Sequence, residues 1–430
     1  MLCANVWQGL TTVPSSNRCA CVMNKTNSPI RQSLANGRPL LAIPGPSVIP
    51  DRVLQAMHRP APNIYAGQLV EMTASIVPDL KAVARATGHV AMYISNGHGA
   101  WEAALSNTLS RGDKVLVLAT GRFAHGWAEM AKRLGVECDI MEFGKRLPVD
   151  IEQFEETIRS DKAHSYKAIL SVQVDTSTSV RTDISALKPV LEAAGHPALL
   201  MVDCIACLGC DDFRMDEWGV DVMVAGCQKG LMTPPGMAFV YFSERADEVR
   251  ETAQNVTHYW DWRPRTRPEE YYQHFDGTAP THHLYGLRTA LDMIVHEEGL
   301  EAVLARHATL ARAVWAAFEA WGAKGPIELN VADPAHRSHA VTSIRIGPPH
   351  GTALRDWMDE VAGVTLGIGL GMAPPGDPAW HGFFRVGHMG HVNAQMILGT
   401  LTSIEAGLMA LGVEHAPGGA AAAAKVVSGA

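Results

Sequence analysis

The sequence predicts an α/β fold: a large, doubly wound, mainly parallel sheet, followed by a smaller C-terminal α+β domain. Three observations carry this. From about residue 75 to 245, short apolar runs alternate with helical patterns, as expected of strand–helix–strand units. The runs are apolar throughout: Ala198-Leu-Leu-Met-Val-Asp203 shows no polar alternation before its last residue, as a strand buried on both faces requires. Finally, a helical stretch from Leu284 to Phe318 separates this region from a C-terminal part with its own β-type runs.

Taken in order, residues 1–38 stand apart. They hold no acidic residue, are rich in Ser, Asn and Thr, and carry Arg18, Lys25, Arg31 and Arg38. That is a transit-peptide composition, but the Arg content is modest and the amphipathic period weak. A disordered extension, or a true start at Met23, is the favoured reading. Leu40-Leu-Ala-Ile-Pro-Gly-Pro-Ser47 opens the folded part, Pro-Gly-Pro restricting the path. Asp51 is placed to cap a helix running through Met57. Strands are expected at Ala91–Ser95, Val115–Ala119, Ala168–Val172, Leu199–Val202, Val220–Ala225 and Met237–Phe242. Helices are expected at Ala100–Leu109, Trp127–Leu134, Ile151–Arg159 and Ser185–Ala194.

Residues 258–276 are aromatic and charged with two prolines, a long connection of the kind that serves function or an interface. Beyond the linking helix come a β-type run at Val341–Ile346, a helix near Ala353–Val361, the Gly-rich stretch Leu366–Gly371, Phe384-Arg-Val, and a helix from Ala394 to about Leu411. The alanine-rich end, 416–430, reads as a flexible tail. The expected division is an extension at 1–38, a large domain at 39–290, a small domain at 291–415, and the tail.

The chain has 430 residues, 47% of them hydrophobic and 19% charged, which describes an ordinary globule with a sizeable core. A net charge of −8 argues against nucleic acid or an anionic membrane as partner. No apolar run is long enough to span a membrane. The eight cysteines show no secreted-domain spacing, so a cytoplasmic, reducing compartment is expected.

Asp203 ends one apolar run, and Lys229 follows another, Val220–Ala225, within Gly-Cys-Gln-Lys-Gly. Both therefore fall at the C-terminal edge of the sheet, where open α/β folds bind ligands. A lysine and a carboxylate at that rim suit pyridoxal phosphate: the amine bonds the aldehyde and the anion keeps the ring nitrogen protonated. The competing reading is a helix-capping Asp and a solvated loop Lys. Ser95-Asn96-Gly97-His98-Gly99-Ala100 lies between a strand and a helix, and such a turn offers backbone N–H groups and a positive dipole end to a phosphate. Cys204, Cys207, Cys210 and Cys227 have spacings that could hold zinc or an iron–sulfur cluster. Their apolar setting favours buried hydrophobes instead, and no metal is expected. The histidines of His282-His283 and His388-Met-Gly-His391 read as structural or pocket lining.

Asn96-Gly97-His98-Gly99, Asp203, Gln228-Lys229 and Phe384-Arg385-Val-Gly-His-Met-Gly390 resemble the class V aminotransferases of fold type I, and in particular the alanine–glyoxylate and serine–glyoxylate (or pyruvate) group. The resemblance covers roughly residues 38 to 412. It implies that Lys229 is the Schiff-base lysine, that Asp203 pairs with the pyridine nitrogen, and that Asn96, Gly97 and His98 meet the phosphate. It further implies that Gln228 and Thr176 bond the ring hydroxyl, that Phe123 stacks on the ring, and that Arg385 grips the substrate carboxylate. Thr278 would reach the phosphate of the other subunit of a homodimer. The implied activity moves an amino group from a small amino acid to the 2-oxo acid glyoxylate or pyruvate by a ping-pong mechanism. On the residues alone, Phe123 also reads as core and Arg385 as a surface ion pair.

Several positions depart from the family pattern. Cysteines follow the aspartate where small residues and serines are usual, and Ser179 stands where glycine is often found. These leave the amino donor open. A pyridoxamine–pyruvate enzyme would carry an arginine where Leu370 stands, and a desulfurase needs a C-terminal cysteine, whereas the last one here is Cys227. No DNA-binding module is appended, which counts against a cofactor-binding regulator.

Overall fold

The computed structural model describes residues 33–430; the expectations for 1–32 lie outside them. Its strands in chain order are β1 (Leu40–Ala42), β2 (His89–Ser95), β3 (Lys114–Ala119), β4 (Glu137–Glu142), β5 (Tyr166–Val172), β6 (Val174–Asp175) and β7 (Val180–Arg181). They continue with β8 (Leu199–Asp203), β9 (Val222–Gly226), β10 (Gly236–Phe242), β11 (Glu328–Leu329), β12 (Val341–Arg345), β13 (Val364–Ile368) and β14 (Phe383–Gly387).

Seven strands form the large sheet in the order β2-β10-β9-β8-β5-β3-β4. All neighbours run parallel except the two pairs made by β10. Residues of β8 alternate between two apolar layers: Leu200 and Val202 face one, Leu199 and Met201 the other. This double burial is why the run carries no polar alternation. The sequence reading has no strand at Glu137–Glu142, because Glu-Cys-Asp-Ile-Met-Glu mixes charge into the run. As β4 it forms the half-solvated edge, where charged side chains are tolerated.

A second sheet, β1-β13-β14-β12-β11, carries a third apolar layer built with the helices Leu300–Gly322 and Ala394–Ala410. β1 pairs in parallel with β13, Leu40 opposite Val364 and Ala42 opposite Leu366. The N-terminal segment thus belongs to the C-terminal sheet and spans back across the site.

Three local expectations change. The tail is not loose: Gly419–Ser428 is a helix whose Ala423 is buried against the Leu300–Gly322 helix layer. Alanine is the best helix former, and its small side chains let this helix lie close to Trp321, where Gly419 has no room for a Cβ. Residues 33–38 are also tied down, Leu34 N–H donating to Val361 O and Arg38 pairing with Asp51. Asp51 does not cap its helix; it is the first helical residue, after Pro50.

The connection 258–276 packs onto the β2–β10 side. Trp262 stacks on Phe242 with centroids 4.1 Å apart. Arg265, 2% exposed, lies over the rings of Tyr93 and Tyr259 and donates to the carbonyls of Tyr259, Met92 and His274. It has no carboxylate partner among the described residues, so aromatic faces and carbonyls carry its charge.

Candidate active site

The C-terminal ends of the parallel strands bring the expected residues together. Asp203 ends β8 and is 3% exposed. Its Oδ1 accepts from Ile205 N–H at 2.7 Å and its Oδ2 from Trp101 Nε1 at 2.9 Å. Burial pushes its pKa up to about 7, against the opposing pull of these donors and of Lys229. Trp101 escapes the sequence reading because a tryptophan on a helix reads as core. Its ring stacks on Trp127, with Phe123 edge-on at 6.2 Å and His98 tilted at 4.7 Å.

Lys229 follows β9 by three residues. Its Nζ donates to Pro44 O at 2.5 Å. Ser47 clasps the same turn, its N–H on Gln228 O and its hydroxyl on Lys229 O at 2.7 Å. Desolvation and the nearby Arg385 charge bring the Lys229 pKa down to about 8. Gly45 sits at φ +92°, and a Cβ there would lie 2.4 Å from Lys229 Cδ and Nζ. Gly45→Ala is accordingly expected to cost about 1–3 kcal/mol of stability, read as a lower melting temperature; an unchanged melting curve would mean the segment moves aside freely.

Arg385 lies on β14 and is 6% exposed. Nε donates to Ile368 O at 2.7 Å and Nη1 to Thr176 O at 2.8 Å. No carboxylate pairs with it among the described residues. Burial lowers its pKa to about 10, partly offset by Asp175. A buried guanidinium whose own fold supplies only carbonyls is oriented to receive an anion.

Asp175, which no sequence pattern marks, is the hub beneath these groups. Fully buried, it accepts from Phe123 N–H at 2.8 Å and from the Ser177 N–H at 2.9 Å. It thereby fixes Phe123, which is half-buried, to the turn whose Thr176 carbonyl orients Arg385. Ser179 closes that turn at φ +61°, and its hydroxyl accepts from Ser343 N–H at 3.1 Å. This hydrogen bond accounts for a serine in a backbone region that favours glycine.

Asn96 caps the helix Gly97–Thr108, its Oδ1 accepting from His98 and Gly99 N–H. Gly97 abuts Ile205, leaving 2.4 Å for any Cβ. Gln228 Oε1 and Thr120 Oγ1 are buried with no hydrogen-bonding partner among the described residues. Of the expected residues, Thr278 stands apart, exposed on the chain's surface.

The four cysteines do not converge. Cys204 and Cys207 both donate to Gln173 Oε1, while Cys227 donates to Pro234 O. Burial raises the pKa of all four, Cys227 to about 11 and Cys210 to about 12, which suits thiols held as buried hydrophobes rather than thiolate ligands. His388 is a core residue, bonded to Thr342 Oγ1 and His339 O, each at 2.9 Å.

The class V aminotransferase family profile matches residues 43–388. The chain belongs to this family. It is an aminotransferase, and its fold is the fold-type-I α/β architecture. It is 37% identical to the serine–glyoxylate aminotransferase of Methylorubrum extorquens, over 90% of this chain and 95% of that one. It is 36% identical to the L-aspartate–glyoxylate aminotransferase of Paracoccus denitrificans, over 89% and 94% respectively. The crystal structure of ureidoglycine–glyoxylate aminotransferase from Bacillus subtilis superposes with a TM-score of 0.80, at 24% identity over 92% of this chain and all of that one.

Proposed function

We propose that this aminotransferase moves the amino group of a small amino acid, such as serine or alanine, to glyoxylate or pyruvate in a ping-pong cycle on pyridoxal phosphate. One observation carries the reading. At the edge of the large sheet stand a buried carboxylate and an amine of lowered pKa, and β14 of the second sheet adds a forked arginine with no counter-ion among the described residues. The glyoxylate-specific names of its relatives support the acceptor.

The residues fit the cofactor. The unpartnered Gln228 Oε1, with Thr176, suits the ring hydroxyl. The N-terminus of the helix Gly97–Thr108 suits the phosphate, at Asn96, Gly97 and His98. Phe123 would stack on the ring, and Asp203 would face its nitrogen. When bound, pyridoxal phosphate supplies an electron sink for a carbanion at the substrate Cα.

The chain's own groups do the rest. Asp203, held by Trp101 and Ile205 N–H, presents its negative charge against a cationic ring nitrogen. Lys229 Nζ, with a pKa near 8, is neutral in a substantial fraction at neutral to mildly alkaline pH. It takes the Cα proton of the donor and returns a proton in the reverse half-reaction. Arg385 holds the carboxylate of donor and acceptor alike, since both carry it beside the reacting carbon.

The chain's exposed Thr278 is assigned to the phosphate of a second subunit, so the active unit is a homodimer. The five described cysteines are free, in keeping with a cytoplasmic setting. No described helix is long and apolar enough to cross a membrane, and neither nucleic acid nor membrane is assigned as a partner. A panel of amino acids assayed against glyoxylate and pyruvate tests the reading; turnover of none of them would end it. Arg385→Ala is expected to raise KM for both substrates on the order of 10²-fold, with Lys a poor replacement because it lacks the fork. An unchanged KM removes Arg385 from the carboxylate role.

A further inference from the structure

We infer that Arg122 selects the amino donor by binding a second carboxylate, so that the preferred donor carries an anionic side chain, as aspartate does. This rests on the transaminase reading and deepens it, because that reading accounts only for the end common to all amino acids.

The position of Arg122 is set by the two segments that hold Arg385. Its N–H donates to Ser177 Oγ at 3.1 Å, one residue from the Thr176 carbonyl that takes Arg385 Nη1. A Cβ placed on Gly371 would lie 2.8 Å from Arg122 Cβ and 3.1 Å from its Cδ. Three residues earlier, at the end of β13, Ile368 O accepts from Arg385 Nε. Residues 175–177 and 368–371 therefore bracket both arginines, Arg385 buried and Arg122 exposed at the rim beside Phe123.

The charge of Arg122 is unspent. Among the described residues its guanidinium has no ion pair, hydrogen bond or aromatic face. It lines two cavities, of about 550 and 380 Å³. Acidic groups on those walls are engaged: Glu129 with Arg133, Glu142 with His125, and Glu102 with Trp260 Nε1. Of the other basic side chains there, Arg133 is taken up by Glu129 and Lys145 is tied to Met372 O. A cation in the first turn of the helix Arg122–Arg133 also opposes the helix dipole, so local stability does not explain it. On this inference a dicarboxylic donor bound with its α-carboxylate on Arg385 extends its side-chain carboxylate past Phe123 to Arg122 at the rim. Serine and alanine leave Arg122 unused.

The test compares kcat/KM for aspartate and alanine, each with glyoxylate, in the wild-type holoenzyme and in Arg122→Gln. It adds calorimetric binding of succinate, an unreactive dicarboxylate. Wild type is expected to prefer aspartate. The aspartate-to-alanine ratio and the succinate affinity should each fall on the order of tenfold or more in the variant. An unchanged ratio overturns the inference, as does an equal loss with both donors accompanied by a changed oligomeric state, which would place Arg122 in a subunit contact. If no donor turns over, the transaminase reading itself fails; equal succinate binding by both proteins overturns the role of Arg122 alone.

Discussion

Lys229→Ala is expected to lose at least about 10³-fold in transamination, the scale set by removing a positioned base, and to leave residue 229 unlabelled when cofactor-loaded protein is reduced with borohydride. The lysine is the one amine on the sheet edge whose surroundings prepare it. Pro44 O receives its Nζ, Ser47 grips its turn from both sides, and Arg385 helps burial lower its pKa to about 8. A solvated loop lysine would show none of these. Retained activity in the alanine variant, or a pyridoxyl group found on another lysine, would remove Lys229 from the chemistry.

Asp203→Asn is expected to act in opposite directions on activity and on the stability of the cofactor-free chain. Activity should fall on the order of 10²–10³-fold, as when a preorganised charge is removed from a reacting system. Stability follows from the sign of the pKa shift. Burial raises the Asp203 pKa from 3.8 to about 7, so between those values the folded chain keeps a proton that the unfolded chain releases. The contribution is present in full below about pH 4 and is lost as pH rises through 7. At about 1.4 kcal/mol per unit, the wild type should lose on the order of 4 kcal/mol relative to the Asp203→Asn variant between pH 4 and 8. Melting temperatures of both cofactor-free proteins at pH 5 and pH 8 check this. A difference between them that does not change with pH would show that Asp203 is not strained by its burial.

Much of the candidate site is readable in the sequence because its residues lie beside strand ends that apolar runs mark clearly. Asp203 and Lys229 each close such a run, and Asn96 opens a helix, so local pattern places all three. Trp101, Asp175 and Pro44 are not readable in the same way. Trp101 Nε1 meets Asp203 from 102 residues away, and Pro44 O meets Lys229 Nζ from 185 residues away. Such contacts leave no period or spacing in the chain. The alanine-rich end misleads for a related reason: composition alone does not show that Trp321 and its neighbours offer a surface on which a helix can lie.

From the amino-acid order alone came the doubly wound sheet, the small C-terminal domain, and the edge at which a lysine and a carboxylate both stand. These follow from the period of apolar residues and from where each run stops, both of which are local properties of the chain. Only the folded structure decided how β1 crosses to the C-terminal sheet, which N–H groups hold the carboxylate, and which arginines among the described residues are left without a carboxylate. Those depend on groups distant in sequence meeting in a low-dielectric interior, where burial and partner together set the charge each one carries.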